Sequence, residues 1–197
     1  MISLVKPSPE AIARFLARQR DQAFSYPAPG SSRTADAPPG FVVDHRRQEL
    51  GQGKKAFEAS CAAIRDWDMF RLGWVEICQP LPAIEAGVVV AILAHFGGVW
   101  WLNACRIVYG IAEPRCFGFA YGTLPDHAES GEERFTVEWR EDDSVWYDLY
   151  AFSRPGTWLV RLGYPLARRL QRRFGVDSLA AMKRALIRGT ATPPPAR

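Results

Sequence analysis

The sequence predicts an α+β protein in which a curved antiparallel β-sheet is wrapped around a long C-terminal amphipathic helix, with an extra N-terminal helix. Between Arg134 and Arg140 the apolar residues Phe135, Val137 and Trp139 alternate with polar ones, the period of an antiparallel strand with one buried face. Beyond Gly156 leucines recur at steps of three and four, the period of an amphipathic helix. The 197 residues, 48% hydrophobic, suit one domain with a sizeable core. Most predicted strands follow one another along the chain before the long helix, and such segregation of strands and helices is typical of the α+β class.

The N-terminal part predicts a helix followed by a surface loop. Ser8 can cap the helix, Pro9 suits its first position, and an apolar stripe follows at Ile12, Phe15 and Leu16. The helix is expected to stop near Tyr26, because Pro27–Gly40 is rich in Pro, Gly and Ser. We therefore divide the chain into residues 1–40 (helix and loop), 41–188 (the α+β domain) and 189–197 (a disordered tail).

The main domain is predicted to begin with a strand, a helix and a second strand. These are Phe41–Leu50, Lys54–Trp67 and Phe70–Cys78. A meander follows, with strands at Gly87–Ala94, Val99–Ala112, Cys116–Tyr121, Arg134–Arg140 and Val145–Phe152. In the third strand of the meander, Gly118, Ala120 and Gly122 share one face. Such small residues leave room for either a ligand or a closely packed helix.

The C-terminal helix is predicted to carry an apolar stripe and a solvent-exposed arginine face. The stripe is Leu159, Leu162, Leu166, Leu170 and Phe174, and the arginine face is Arg161, Arg168 and Arg172. Pro165 is expected to kink the helix, since proline removes a backbone donor. Gly175 is expected to end it, and Ser178 to cap a last short helix.

Charge is unevenly distributed along the chain. From Arg154 to Arg197 there are ten Lys or Arg and one acid, Asp177, so this segment carries +9 and the rest −5. Such a segment is typical of a solvated helix face. The alternative is a surface for nucleic acid, anionic lipid or an acidic partner.

Composition indicates a cytoplasmic protein. The first ten residues lack the apolar run of a secretory signal, and the most apolar stretch, Gly87–Ala94, is too short to span a bilayer. The four cysteines lack zinc-ligand spacing and are interpreted as reduced thiols of the core (Cys61, Cys78, Cys105 and Cys116). No phosphate loop or dinucleotide fingerprint occurs, so no cofactor is predicted.

The loop from Tyr121 to Phe135 holds the densest group of candidate catalytic residues, which are Tyr121, His127, Glu132 and Glu133. The sequence predicts that His127 titrates near neutral pH, as an unperturbed histidine does, and it could then act with a carboxylate as acid and base. The alternative is an ordinary solvent-exposed histidine. Asp126, His127 and Glu129 could be imagined as metal ligands, but no spaced second histidine supports them, and no metal is predicted.

Adjacent Glu132 and Glu133 must face opposite sides of a strand, so at most one can point into the interior. Arg106 is the expected partner of the interior carboxylate. It forms either a structural ion pair or an anion-binding arginine at a pocket mouth. Asn103 lies on the other face of its strand with Trp101, Cys105 and Tyr109, where it bonds either a ligand or the sheet backbone. The predicted ligand-binding set is Arg106, Asn103, Trp101, Tyr121 and His127.

Four segments resemble an uncharacterised bacterial and plant family, the domain of unknown function nineteen-ninety. They are LGQGKKAFEASCAAIRDWDMFRLGW (50–74), NACRIVYGIAE (103–113), GFAYGTLPDHAESGEERF (118–135) and AFSRPGTWLVRLGYPLARRLQ (151–171). The resemblance runs from about Phe41 to Phe174. It implies a helix-grip fold like those of pathogenesis-related plant allergens, steroid-transfer (START-like) domains and polyketide cyclases. The motif residues Tyr121, His127, Glu132, Glu133 and Arg106 match the family pattern, which assigns them no role.

Three functions remain open from the sequence. The first is a binding protein for a small hydrophobic or amphipathic molecule in a cavity between sheet and C-terminal helix. The second is an enzyme of the same fold, a cyclase, hydrolase or isomerase using His127 and a glutamate. The third is a basic interaction module acting through the C-terminal helix. Nucleic acid is the least favoured partner, because the apolar stripe opposite the arginines favours docking on the sheet.

Overall fold

The computed structural model describes residues 1–156 and 163–190. Its strands are β1 (Ile2–Ser3), β2 (Val42–Gln52), β3 (Val75–Ile77), β4 (Val89–Phe96), β5 (Val99–Glu113), β6 (Cys116–Thr123), β7 (Glu129–Trp139) and β8 (Ser144–Pro155). Its α-helices are α1 (Pro9–Gln19), α2 (Gly53–Arg65) and α3 (Tyr164–Thr190).

The strands form one curled antiparallel sheet in the order β2-β8-β7-β6-β5-β4-β3, with β1 paired to β5 beside this path. Helices α2 and α3 lie against its inner face, where α2 contacts β7, β2 and β8, and α3 contacts β2 and β8. The α+β class, the sheet around the C-terminal helix and the extra N-terminal helix are confirmed. The arrangement is the helix-grip fold.

The core lies between the inner face of the sheet and these helices. Alternate residues of the central strands point into it, including Phe119, Phe135 and Tyr147, which are fully buried. Ile64 of α2 and Met182 of α3 close it from the other side. Burial of such large side chains is the main stabilising contribution to the fold.

The N-terminal segment covers the outer face of the same sheet. Ser8 caps α1 by accepting a hydrogen bond from the Ala11 amide, as the sequence predicts, although α1 already ends at Gln19. Phe15 of α1 packs against buried Leu93 and Leu102. Tyr26 and Phe41, in the loop after α1, pack on Tyr150 and Phe152 of β8, so the outer face is buried there as well.

The small-residue face of β6 points outward, away from the helices of the inner face, and Tyr26 packs against it at Gly122. A methyl group on Gly122 would lie 2.2 Å from the phenolic oxygen of Tyr26, whose ring fills this space. Glycine is required at this position because a side chain would expel Tyr26 from the sheet surface.

Helix α3 is continuous through two residues expected to interrupt it. Pro165 lies in its first turn, where the missing amide hydrogen costs nothing, so it does not kink the helix. Gly175 lies within the helix, and Ser178 is buried and hydrogen-bonded to Tyr147 (2.9 Å between the hydroxyl oxygens) instead of capping a second helix. Tertiary packing outweighs the local termination signals.

The described part of the predicted stripe faces the sheet, since Leu166, Leu170 and Phe174 line the space between α3 and the sheet. Leu166, at the rim, is 55% exposed, and Met182 continues the inward face. Arg168, expected in solvent, is largely buried and paired with Asp44. Leu159, Arg161 and Leu162 lie outside the described residues.

Two local details differ from the sequence-based expectation. A β-bulge between Ile107 and Tyr109 shifts the pairing of β5 with β6, so Tyr109 points outward and bonds Ser32 (2.7 Å between the hydroxyl oxygens). In the predicted strand Phe70–Cys78, only Val75–Ile77 forms a strand.

Candidate functional site

A cavity of about 480 Å³ lies between the inner face of the sheet and α3. Its apolar wall comes from strands β3, β4, β5 and β8, the segment before β3, and helix α3. This wall includes Phe70, Trp74, Val75, Ile92, Ala94, Phe96, Trp101, Leu149, Leu166, Leu170 and Phe174. Its polar side chains come mainly from β2, β7 and the turn before β7, and they include Asp44, Arg46, Asn103, Tyr121, His127, Glu129 and Glu133.

Tyr121 and Glu133 form a hydrogen-bonded pair in the cavity wall. They are directly paired residues of β6 and β7, and the Tyr121 hydroxyl donates to a carboxylate oxygen of Glu133 at 2.6 Å. Burial raises the pKa of Glu133 to about 8, although the bond from Tyr121 acts in the opposite direction. At neutral pH this carboxyl group is therefore mostly protonated and can donate as well as accept a hydrogen bond.

His127 also lines the cavity and is not the exposed histidine of the alternative interpretation. Its Nδ1 lies 3.0 Å from both the amide nitrogen and the carbonyl oxygen of Glu129, so either tautomer is satisfied. Its Nε2 has no hydrogen-bond partner within residues 1–156 and 163–190. Burial lowers the pKa of His127 to about 4, which keeps the ring neutral at pH 7.

A polar network connects β2, α3 and β7 along one side of the cavity. Arg168 makes a bidentate ion pair with Asp44 (2.5 and 3.0 Å) and also donates to the side-chain oxygen of Gln171 (2.5 Å). Gln171 in turn donates to Glu129 and to Ser153. Burial raises the pKa of Glu129 to about 7, with the Gln171 bond and the Arg168 charge acting against it.

Asn103 and Trp101 line the cavity from β5. The side-chain oxygen of Asn103 accepts from the amide of Ala128 (3.1 Å), and so Asn103 holds the turn that carries His127. Trp101 stacks on Phe96 with ring centroids 5.4 Å apart. Both side chains shape the cavity, and Asn103 is bound to backbone groups.

Glu132 and Glu133 face opposite sides of β7, as the sequence predicts, but the carboxylate of Glu132 is on the outer side. It accepts from the Tyr26 hydroxyl (2.5 Å) and from the amides of Gly30 (2.7 Å) and Ser32 (2.9 Å). Glu132 contributes some atoms to the cavity wall, but the residue is only 2% exposed. Its carboxylate binds the N-terminal segment on the other side of the sheet. The Glu132 carboxylate is therefore not placed to act on a molecule in the cavity.

Arg106 likewise lies on the outer face and does not pair with the interior carboxylate. It donates to the backbone carbonyls of Gln19 (3.2 Å) and Arg20 (2.6 Å), and its guanidinium lies 5.4 Å from the ring centroid of Phe24. The reason is strand parity, because Arg106 and Glu132 both pair with Gly122 and point outward. Tyr26 packs over Gly122, and its hydroxyl donates to the Glu132 carboxylate.

Charged residues of β2 and α3, which the sequence does not mark as site residues, also belong to this region. Asp44 and Arg46 have the same parity on β2 and both point inward, opposite to His45 and Arg47. The sequence does place two charged residues at alternate positions of β2, which puts both on one face of the strand. The same pattern is equally typical of a solvent-exposed edge strand, so it does not by itself indicate a site. Only the position of α3 makes them part of a cavity.

Asp126 and Glu129 have partners of their own. Asp126 accepts from the side-chain nitrogen of Gln19 (2.7 Å), on the α1 side. Within the described part of the chain, no group of three His, Cys, Asp or Glu is placed to hold a metal ion. No helix in that part combines the length and the apolar character needed to cross a membrane.

Residues 25–181 match the family model described as Domain of unknown function (DUF1990). A UPF0548 protein of Dictyostelium discoideum is 35% identical over 94% of this chain and 96% of its own. A UPF0548 protein of Deinococcus radiodurans is 37% identical over 88% of this chain and 92% of its own. The chain therefore belongs to the DUF1990 family, as its motifs predict.

A solved structure supports the fold. The crystal structure of protein Ms6760 from Mycobacterium smegmatis is similar over 75% of this chain and 92% of its own, with a TM-score of 0.50 and 10% identity. At that identity the likeness concerns the fold alone.

Proposed function

We propose that this protein binds a small amphipathic molecule in the cavity between its sheet and α3. The observation that carries the proposal is the cavity itself, whose 480 Å³ lies within the range of about 300–1,000 Å³ typical of small-molecule sites. A core filled by side chains would have left no such space.

The distribution of polar groups supports an amphipathic ligand. Aromatic and aliphatic side chains of β3, β4, β5 and α3 offer an apolar wall for the body of the ligand. Tyr121, Glu133 and His127 offer donors and acceptors on one side, which would fix its orientation.

The test is a cavity-filling substitution read out with a neutral fluorescent probe. Ala94 lines the cavity on β4, and Ala94→Phe should abolish binding of N-phenyl-1-naphthylamine by occupying its space. Ala112→Phe makes the same change at an exposed position of β5 and should leave binding unaltered. Equal affinity in wild type and Ala94→Phe would exclude the cavity as the site. Native mass spectrometry of freshly purified protein then identifies a co-purified ligand.

We propose proton transfer as a second function, favoured by the Tyr121–Glu133 pair. A general base works best when its pKa is near the operating pH, and Glu133 meets this condition at about 8. In such a reaction the Glu133 carboxylate removes a proton from carbon beside a carbonyl group, and a neutral His127 donates to the oxygen that becomes negative.

The test of proton transfer is hydrogen–deuterium exchange of an enolisable ketone. We expect wild-type protein to accelerate exchange of 2-tetralone in D2O, followed by NMR, and Glu133→Gln to remove the acceleration. Glu138→Gln, on the outer face of the same strand, is the control and should behave as wild type. Exchange at the buffer rate with wild-type protein would refute this second function.

We further infer a reducing compartment, the cytoplasm, from the cysteines. All four are free thiols, and Cys61 and Cys105 are buried. Burial raises the pKa of Cys61 to about 11, so its thiol stays protonated and unreactive. Cell fractionation with an antibody to the native protein tests this location.

A further inference from the structure

Within residues 1–156 and 163–190, half-buried Arg46 has neither the counter-charge that Arg134 and Arg168 have nor the carbonyl partners of Arg106. It lies on β2 with its side chain in the cavity wall, and no hydrogen bond or ion pair joins it to any residue in 1–156 or 163–190. The undescribed segments 157–162 and 191–197 contain no Asp or Glu side chain that could supply one.

Several other arginines of the sheet and of α3 have partners within the fold. Arg134 and Arg47 share Asp148 (3.0 and 2.9 Å), and Arg168 is paired with Asp44. Arg106 is satisfied by two backbone carbonyls. An arginine that served only the fold would be expected to have a comparable partner, because a buried unpaired charge is costly.

The helix opposite is shaped to accommodate Arg46. A methyl group on Gly175 of α3 would lie 2.6 Å from Nε and 2.7 Å from Cδ of Arg46, so the side chain passes across the helix where there is no Cβ. Glycine inside a helix costs about 1 kcal/mol relative to alanine. The helix contains this unfavourable residue at the turn where the Arg46 side chain crosses it.

The charges facing the cavity leave Arg46 as the unbalanced one. They belong to β2 and β7, and they are Asp44, Arg46, Glu129 and Glu133, together with the neutral His127 of the turn before β7. Asp44 and Arg168 neutralise each other. Burial raises the pKa of Glu129 to about 7 and that of Glu133 to about 8, so below neutral pH both are mostly uncharged.

We infer that the ligand of this cavity is an amphipathic anion, such as an aromatic or aliphatic carboxylic acid, whose charged group pairs with Arg46. The inference rests on the proposed binding function and adds the charge of the ligand to it. Guanidinium binds carboxylate through two parallel hydrogen bonds, and the apolar wall receives the remainder of the molecule.

The experiment compares two probes that differ only in charge. 1-Anilinonaphthalene-8-sulfonate is N-phenyl-1-naphthylamine with an added sulfonate, and both are titrated by fluorescence at about pH 6, where the glutamates are protonated. Arg46→Gln should weaken the sulfonate probe about tenfold or more and change the neutral probe by less than about twofold. Arg172→Gln removes an exposed arginine of α3 and should alter neither.

Each other outcome overturns the inference. If Arg46→Gln weakens both probes equally, Arg46 has a structural role only, and if it weakens neither, no anion is held there. If Ala94→Phe leaves the sulfonate probe bound, that probe sits on the surface and not in the cavity. Binding of the neutral probe alone would refute the anion and preserve the cavity function, whereas absence of both probes would refute both.

Discussion

At the scale of single residues, the two adjacent glutamates of β7 have separate tasks because they face opposite sides of the sheet. Glu133 lies in the cavity wall with Tyr121, and Glu132 anchors the N-terminal segment through Tyr26 and two backbone amides. The same residue type therefore makes two different contributions, one to the site and one to stability, and each can be removed without the other.

Glu133 should make stability depend on pH. Its pKa is about 8 in the folded protein against an ordinary 4.5, so between these values the native state keeps a proton that the unfolded chain has released. Each pH unit of rise in this window then lowers the free energy of unfolding by up to about 1.4 kcal/mol, and the loss is complete above the folded pKa.

The measurement is chemical denaturation of wild type and Glu133→Gln at several pH values. Above about pH 7 His127 contributes nothing, since its ring is neutral in both states there. Between about pH 7 and pH 8.5 the free energy of unfolding should fall less steeply in Glu133→Gln than in wild type. The fall that remains in the variant is due to Glu129. Parallel curves for the two proteins would show that Glu133 titrates normally.

Glu132→Gln should destabilise the protein by about 2–3 kcal/mol, because a neutral amide leaves backbone donors without a charged acceptor. Glu138→Gln is the control, since Glu138 is on the same face of β7 and makes a half-exposed ion pair with Arg47. We also expect faster proteolysis within residues 20–40 in Glu132→Gln alone. Equal stability of the two variants would contradict the anchoring role.

At the scale of elements, α3 combines packing on the sheet with formation of the cavity. Gly175→Ala should raise the free energy of unfolding by up to about 1 kcal/mol through helix propensity, because Arg46 can bend away from the new methyl group. The same change should weaken the anionic probe by displacing Arg46.

Val176→Ala is the matched control for Gly175→Ala. Val176 is 54% exposed on α3, so alanine there raises helix propensity without contact to Arg46 and should leave probe affinity unchanged. Thermal unfolding and probe titration measure the two effects. Unchanged anion affinity in Gly175→Ala would show that the glycine does not position Arg46.

At the scale of the whole molecule, the sheet is buried on both faces, by α2 and α3 inside and by the N-terminal segment outside. Removal of residues 1–40 would expose Leu93, Leu102, Leu124 and Phe152, all at most 1% exposed in the intact protein. We expect residues 41–197 alone to aggregate or unfold, because exposed apolar patches of this kind promote association.

Size-exclusion chromatography and thermal unfolding of the shortened protein test this expectation. A variant that lacks residues 191–197 is the control, and we expect it to keep the elution volume and the thermal stability of the intact protein. A stable monomer of residues 41–197 would show that the N-terminal segment is an appendage and that the predicted boundary at residue 40 separates two independent parts.

The sequence alone determines the features that depend on periodicity and local chemistry. Alternation in residues 134–152 predicts β7 and β8 with their correct faces, and Ser8 with Pro9 predicts the start of α1. The opposite directions of Glu132 and Glu133 follow from the geometry of any strand. Family motifs then add the curvature of the sheet around the C-terminal helix.

Only the tertiary structure decides which partners these residues meet. A bulge in β5 reverses the direction of Tyr109, and packing on the sheet keeps α3 helical through Gly175. The pairing register turns Glu132 and Arg106 outward, where the N-terminal segment binds them. Contacts between residues distant in the chain outweigh local preferences because each helix or strand signal is worth only about 1 kcal/mol. The cavity, and an Arg46 without an ionic partner in residues 1–156 and 163–190, arise in this way from the position of one helix over one edge strand.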